Sequence, residues 1–194
     1  MRKETAFPYD MRPIVLFGLL LFAVSTLEAS GEEPFCETER YSQAYVTKMT
    51  CVSSRLKSGK GNSYGVGGLL DGRNETAWCE GVQGDGIGEA VTVRLEAASP
   101  LRGLTIRNGD ARSMDHHQRN NRVRVLDLML ISYDEREPPR SMNVVLRDTA
   151  DEQHVRLPWD VPDPRLLELT IAEVYPGTRF KDTCLTELGL DFGM

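Results

Sequence analysis

From Val91 onward the chain alternates apolar and polar residues with a period of two. In "EAVTVRLEA", Val91, Val93 and Leu95 fall on one side while Thr92 and Arg94 fall on the other, and Leu104 and Ile106 repeat the arrangement in "LRGLTIRNG". "NRVRVLDLMLIS", "SMNVVLRD", "QHVRLPW", "RLLELTIAEVY" and "CLTELGLDF" carry the same signature. Side chains alternate across a strand, whereas a helix needs an apolar residue every three or four positions; these segments therefore predict strands, and almost no helical periodicity competes with them. Turn-rich stretches separate the strands, among them "EREPPR", "PWDVPDP" and "YPGTRFKD". Short strands punctuated in this way point to an all-β chain folded as an antiparallel sandwich or barrel. Before Thr50 the pattern is lost. Residues 31–49 read as an N-terminal extension that wraps the surface, and residues 50–194 as the domain.

The first thirty residues are of another kind. Arg12 precedes "IVLFGLLLFAV", an apolar run of signal-peptide length and too short to cross about 30 Å of hydrocarbon. Small residues follow, with "AVS" at Ala23 to Ser25 and "LEA" at Leu27 to Ala29 as cleavage sites, and Met11 is an alternative start. Residues 1–30 are thus expected to be a signal peptide, and the product to be secreted or periplasmic and not an integral membrane protein after cleavage. A retained anchor is the alternative. Cys36 follows Glu33, Pro34 and Phe35 and lacks the small-residue context that lipid attachment needs.

Composition narrows the partners. The formal charge is −6 and the basic residues are scattered, so the chain offers no patch that would release counterions from a phosphate backbone, and no nucleic-acid partner is expected. Cys36, Cys51, Cys79 and Cys184 form an even set with no CxxC pair, which in an exported chain favours disulfides over zinc or redox chemistry. Three connectivities remain open on that ground alone. No H-E-x-x-H or P-loop motif is present, and the paired acids Glu135 with Glu137 and Asp151 with Glu152 flank turns, where solvated charge is the simpler reading. Glycoside hydrolysis would need two carboxyls facing across a cleft, which one small sandwich seldom provides. The chain is therefore expected not to be an enzyme.

"VSSRL", "YGVGGLLDGRNETAWCEGVQGDGIGEAVTVRL", "LRGLTIRNGD", "NNRVRVLDLML" and "VYPGTRFKDTCLTEL" together resemble the discoidin-like, galactose-binding-like (F5/8 type C-like) domains, specifically the bacterial branch of NADase-type glycan-binding domains. The resemblance runs from about Thr50 to Phe192, and "LLDGRNETAWCEG" with "DTCLTEL" is its most specific part. It implies an antiparallel jelly-roll β-sandwich of about eight strands whose loops at one end bind ligand. It also implies a binding role, often toward carbohydrate, with the enzymatic activity of the branch's name residing in a separate neighbouring domain.

Within this resemblance, "GVGGLLDGRNETAWCEG" acquires a chemistry. Calcium takes six to eight oxygens, and a glycine-rich loop can turn backbone carbonyls inward beside one or two carboxylates. The family's calcium loop, laid onto this chain, gives Gly68, Asp71, Arg73 and Thr76, closed by Thr186 and Glu187 from the last strand; Arg73 stands where an amide or acid is usual. The alternative is that Asp71 and Thr76 only cap a tight turn. An ion joining both motifs would bring Cys79 near Cys184, which favours the pairs Cys36–Cys51 and Cys79–Cys184.

The ligand-facing loops of the family correspond here to "EGVQGDGIGE", "RNGDARSMDHHQRNNR" and "EVYPGTRFKD". Sugar binding calls for planar bidentate groups and an aromatic face, types supplied by Trp78, Glu80, Asn108, His117, Asn121, Arg122 and Tyr175. Each has a plainer role: Trp78 as core, Asn108 as a turn residue, Arg122 as cover over a strand. In "MDHHQ", Asp115, His116 and His117 are able to hold metal, but adjacent histidines in a strand point to opposite sides and His154 is distant in sequence. "NET" at Asn74 to Thr76 matches the N-glycosylation acceptor, an accidental match in a bacterial chain. A glycan or cell-envelope component is the expected partner, and a protein bound by the same loops in an assembly role is the alternative.

Overall fold

The computed structural model describes residues 35–40, 47–57, 63–96 and 99–193. The segment read as a signal peptide lies outside the described residues. Ten strands are described: β1 Phe35–Arg40, β2 Thr47–Val52, β3 Trp78–Cys79, β4 Ala90–Leu95, β5 Leu101–Asn108, β6 Asn121–Ser132, β7 Arg140–Val145, β8 Glu152–Val161, β9 Pro164–Tyr175 and β10 Thr183–Asp191. A single 3-10 turn occupies Val66–Leu69, and one short helix, α1, spans Met114–Arg119. Every segment with period-two patterning is a strand, and β1, β2 and β3 are added to them. Among the described residues no helix is long and apolar enough to cross a membrane.

The strands follow one hydrogen-bonded order, β1-β2-β4-β9-β6-β10-β5-β8, with β3 on β10 and β7 on β6. All neighbours are antiparallel except β6 and β10, which meet in parallel through only Thr183↔Asn121 and Cys184↔Arg122. That two-residue ladder divides the path into two layers: β1-β2-β4-β9-β6-β7 on one side and β3-β10-β5-β8 on the other. β6 shares one edge between two partners, giving Asn121 and Arg122 to β10 and Val125 to Leu130 to β7. Val91, Val93 and Leu95 from β4, Leu126, Leu128 and Leu130 from β6, and Leu167, Leu169 and Ile171 from β9 bury against Leu104, Ile106, Leu185 and Leu188 of the second layer. The inner residues of two facing sheets form the core of a sandwich, as the alternation requires. Trp78 is fully buried among them, and its indole N–H donates to the carbonyl of Ser54 at 2.8 Å.

Two stretches depart from the sequence reading. Part of the presumed extension is sheet: β1 pairs along its whole length with β2, from Phe35↔Val52 to Arg40↔Thr47. β2 was hidden because two of its buried positions are polar, Lys48 and Thr50; the Lys48 ammonium is ion-paired to Glu39 across the ladder. The second is "MDHHQ", which is neither loop nor strand but the helix α1, begun by Ser113, whose hydroxyl accepts the His116 N–H at 3.2 Å. Six residues are too few for helical periodicity to show.

Both disulfides join residues already opposed in register, Cys36↔Cys51 and Cys184↔Cys79. They agree with the expected connectivity and are consistent with an oxidising, extracellular setting. Their sequence separations are 15 and 105. Because a cross-link mainly restricts the unfolded chain, the longer loop should stabilise more, about 4.7 kcal/mol against about 3. Guanidinium unfolding of the two Cys-to-Ala pairs should therefore show Cys79→Ala/Cys184→Ala as the more destabilised; the reverse order would mean that native-state effects outweigh chain entropy.

Candidate functional site

The acidic loop is built on close packing. Gly68, in the 3-10 turn, lies so near Ala77 that a Cβ there would fall 2.8 Å from its backbone, which holds the following loop against β3. Gly72 then turns with φ of +69°, a conformation other residues rarely adopt. Between these constraints the loop folds around Asp71: its carboxylate accepts the Arg73 N–H at 3.0 Å and the Thr76 hydroxyl at 2.8 Å to both oxygens. The Thr76 hydroxyl also lies 3.4 Å from the Arg73 carbonyl.

Glu187 arrives from β10 through a bulge. Leu185 pairs with Asn108 and Glu187 with Arg107, so Thr186 is an extra residue that resets the alternation and turns Glu187 outward to the loop. Its carboxylate accepts the Gly72 N–H at 2.9 Å. Burial raises the Glu187 pKa above the usual carboxylate value, the Gly72 bond opposes the rise, and the negative charge of Asp71 adds to it. The structure thus assembles Asp71, the Arg73 carbonyl, Thr76 and Glu187 from two distant segments. Thr186 behaves otherwise. Its hydroxyl donates to the Gly109 carbonyl and accepts the Ala111 N–H, tying down the β5–α1 turn. Two carboxylates, a hydroxyl and a carbonyl are the hard oxygen donors that suit calcium, and the internal hydrogen bonds also satisfy the capping alternative.

The three polar segments do meet at one end of the sandwich. The Asn121 side chain donates to Asp85 at 3.1 Å and to the Lys181 carbonyl at 2.8 Å, while its oxygen accepts the Gly177 N–H at 2.6 Å. One buried amide therefore joins all three. Glu80, also buried, accepts the N–H groups of Val82 and Thr183; burial raises its pKa, those two bonds oppose the rise, and Gly86 leaves room for its stem. The Thr178 and Phe180 N–H groups donate to carbonyls of α1. Arg122 forms a two-pronged pair with Asp148 at 2.9 and 2.6 Å and donates to the carbonyls of Asn120 and Pro176. That pair lowers the Asp148 pKa. His117 is buried with its Nε2 unpartnered among the described residues, and desolvation first, then Arg122, lowers its pKa. The Tyr175 hydroxyl donates to the Leu146 carbonyl.

Asn108 is the clearest departure from a ligand-contacting role. Fully buried, it donates to the Val123 carbonyl at 2.7 Å and accepts the Val123 N–H at 3.0 Å, mimicking a strand neighbour between β5 and β6. Trp78, Glu80, Asn121 and Arg122 are likewise held by internal bonds, so this set forms the frame under the loops. The exposed surface above it carries residues that the sequence did not single out: Val82, Ile87, Met114 and Phe180, the last 41 % exposed with the Arg179 guanidinium 5.1 Å from its ring. Asp110 and Arg112, bound at 2.9 and 2.5 Å, were also missed; the Asp110 bond raises the Arg112 pKa, and Arg112 reaches the Tyr64 hydroxyl at 3.3 Å. Their only signal was two charges next to a turn glycine.

Two measurements check this account. Asn108→Ala leaves a buried N–H and carbonyl of Val123 without partners and should cost about 3 kcal/mol in chemical denaturation; a cost below about 1 kcal/mol would remove Asn108 from the frame. A carboxyl with a raised folded pKa contributes stability below its unfolded pKa and loses it as pH rises through the folded value. In chelator, wild-type stability should therefore fall more than that of Glu187→Gln between pH 4.5 and 7. Parallel profiles would show that Glu187 is not strained by burial and Asp71.

Comparison with known proteins agrees with the geometry. The structure is similar to an F5/8 type C domain from Bacteroides fragilis, with 15% identity, TM-score 0.54 and coverage of 80% of this chain and 95% of that one. It is similar to a family 32 carbohydrate-binding module of C. perfringens NanJ solved with galactose (13% identity, TM-score 0.54, 74% and 92% covered). A family 32 module from Streptococcus pneumoniae EndoD is also similar (14%, 0.52, 73% and 94%). At these identities the likeness establishes the shared β-sandwich fold. No curated protein matches by sequence. The model of one family, however, matches residues 40–191, which include both halves of the acidic loop and all three platform segments: the chain belongs to the NAD glycohydrolase translocation F5/8 type C domain family.

Proposed function

We propose that this domain is a secreted or periplasmic, non-catalytic carbohydrate-binding module that recognises glycan on the platform at the loop end. The observation that carries the reading is the convergence of residues 80–89, 109–122 and 175–182 on the single buried side chain of Asn121. Three loops fixed to one amide lose little entropy when a ligand binds, which is what a weakly interacting, hydroxyl-rich partner requires. Phe180 offers the aromatic face, and Asp115, Gln118 and Lys181 are exposed polar residues of the same segments. The solved neighbours that bind galactose and N-acetylgalactosaminyl-galactose support carbohydrate as the ligand class.

Calcium has a structural part in this reading. Asp71, Thr76, Glu187 and the Arg73 carbonyl would hold it, with Gly68 shaping the loop, and its charge would relieve the repulsion between the two carboxylates. Recognition, not bond breaking, is the mechanism. A second reading, a protein-binding or assembly module, is favoured by one observation: Val82, Ile87, Met114 and Phe180 expose apolar surface on the same loops, Ile87 to 56 %.

Thermal unfolding of the disulfide-bonded protein should shift upward with calcium relative to excess chelator, and Asp71→Ala should abolish that shift. A glycan array run in calcium should give a saturable hit that Phe180→Ala weakens at least tenfold with unchanged melting temperature. No calcium shift would assign the loop to its fold alone, and no glycan hit would favour the protein-binding reading.

A further inference from the structure

β5 runs from Leu101 to Asn108 and β10 from Thr183 to Asp191, each with one end in the loop platform. At about 3.3 Å per residue their other ends lie roughly 20 Å away. There the ladder between β5 and β8 breaks. Gly103 pairs with Arg156 and Leu101 with Val161, so two steps along β5 are matched by five along β8. The surplus residues of β8 include Pro158, which has no N–H to offer a neighbouring strand. They border a cavity of about 850 Å³ whose lining includes Arg102, Arg156, Trp159, His154, Asp191 and Gly193.

The chemistry of this cavity is unlike that of the rest of an acidic chain. Arg102 and Arg156 are both exposed, and among the described residues neither guanidinium has an ion-pair or hydrogen-bond partner. Asp191, the one carboxylate among the described lining residues, already accepts the Gly193 N–H at 2.7 Å. Gly193 has φ of +69°, and a Cβ there would fall within 2.6–2.9 Å of Cδ, Nε and Nη1 of Arg102; glycine lets the chain lie along that side chain and restrict it. Trp159 is half-buried, packed against the core beside the same opening. Bulges of this kind re-aim side chains, and here the bulge presents two unpaired guanidinium groups and an indole to one space.

We propose that this bulge is a second binding site, independent of the loop platform, for an anionic sugar residue whose carboxylate or sulfate is held by Arg102 and Arg156 and whose ring lies on Trp159. A guanidinium fork matches a planar carboxylate or a sulfate edge, and an indole covers the apolar face of a pyranose. Regular strand addition of a peptide is disfavoured here, because the bulge and Pro158 interrupt the edge of β8.

The test is calorimetric titration of the intact protein at low salt with three probes: an oligogalacturonate, a sulfated galactan oligosaccharide and a neutral galacto-oligosaccharide. Saturable binding of at least one anionic probe is expected, and it distinguishes carboxylate from sulfate. Arg102→Gln and Arg156→Gln should each weaken it tenfold or more without moving the melting temperature. Arg94→Gln, which removes an equal charge from an exposed position of β4, and Phe180→Ala on the platform should leave it within twofold. The proposal is overturned if neither anionic probe binds, if the arginine variants bind like wild type or no worse than Arg94→Gln, or if Phe180→Ala abolishes binding. That last result would move the anionic ligand to the platform, and loss of neutral-glycan binding in Phe180→Ala alone bears only on the platform.

Discussion

The first two residues of β10 hold the molecule together. Thr183 and Cys184 supply the whole parallel ladder to β6, Cys184 is disulfide-bonded to Cys79 in β3, and Leu185 begins the pairing with β5. All three are fully buried. Two sheets linked by a two-residue ladder would be free to slide if packing alone joined them, since apolar contact is non-directional. Asn108 of β5 removes that freedom by bonding the Val123 carbonyl and N–H of β6, while the covalent bridge and the Glu80 carboxylate on the Thr183 N–H fix β10 within its own layer. The position of each loop at this end then follows from the register of β10.

That constraint explains an unusual distribution of polarity. Glu80, Asn108, Asp110, His117, Asn121, Arg122, Thr183 and Thr186 are all buried, and all lie at the platform end. Buried polar groups are costly unless paired, and a network in which nearly every group is satisfied fixes one arrangement in a way that apolar packing does not. The chain carries this cost where loops, which have few backbone partners of their own, must hold a shape. His117 Nε2 is the unsatisfied member, and its lowered pKa follows from that environment.

How much of this the sequence disclosed depended on whether burial and hydrophobicity coincided. They coincide in β4, β6 and β9, where inward positions are Val, Leu and Ile, and period two is legible there by inspection. They diverge in β2, whose inward Lys48 and Thr50 are polar; Lys48 finds Glu39 on the adjacent strand, and the Thr50 hydroxyl is buried without a partner among the described residues. Asp71 and Glu187 were legible as partners through resemblance, and the structure places them on either side of Gly72. The ligand candidates were chosen by side-chain type, and type does not reveal direction. Asn108 could as well reach outward as inward, and only the Val123 backbone opposite it decides. Phe180 escaped notice because an aromatic next to turn residues has no periodic context.

The two bulges show how one strand pair can serve opposite ends. A slip of one residue in β10 turns Glu187 outward, and a larger mismatch in β8 borders the cavity beside Arg102. Both flank β5, whose regular stretch from Gly103 to Arg107 stays in register with β10 and β8 alike. Paired on both edges over this stretch, β5 keeps its register with each neighbour although both neighbours are irregular beyond it. Gly103 and Gly189 make this possible. A Cβ on the first would meet the Val155 carbonyl at 2.7 Å and one on the second the Thr105 hydroxyl at 2.2 Å, so the strands along this stretch approach more closely than side chains would permit. Close packing within the regular stretch, with an irregularity in a neighbouring strand beyond each of its ends, puts the acidic loop and the proposed β8 site at opposite ends of the same strand.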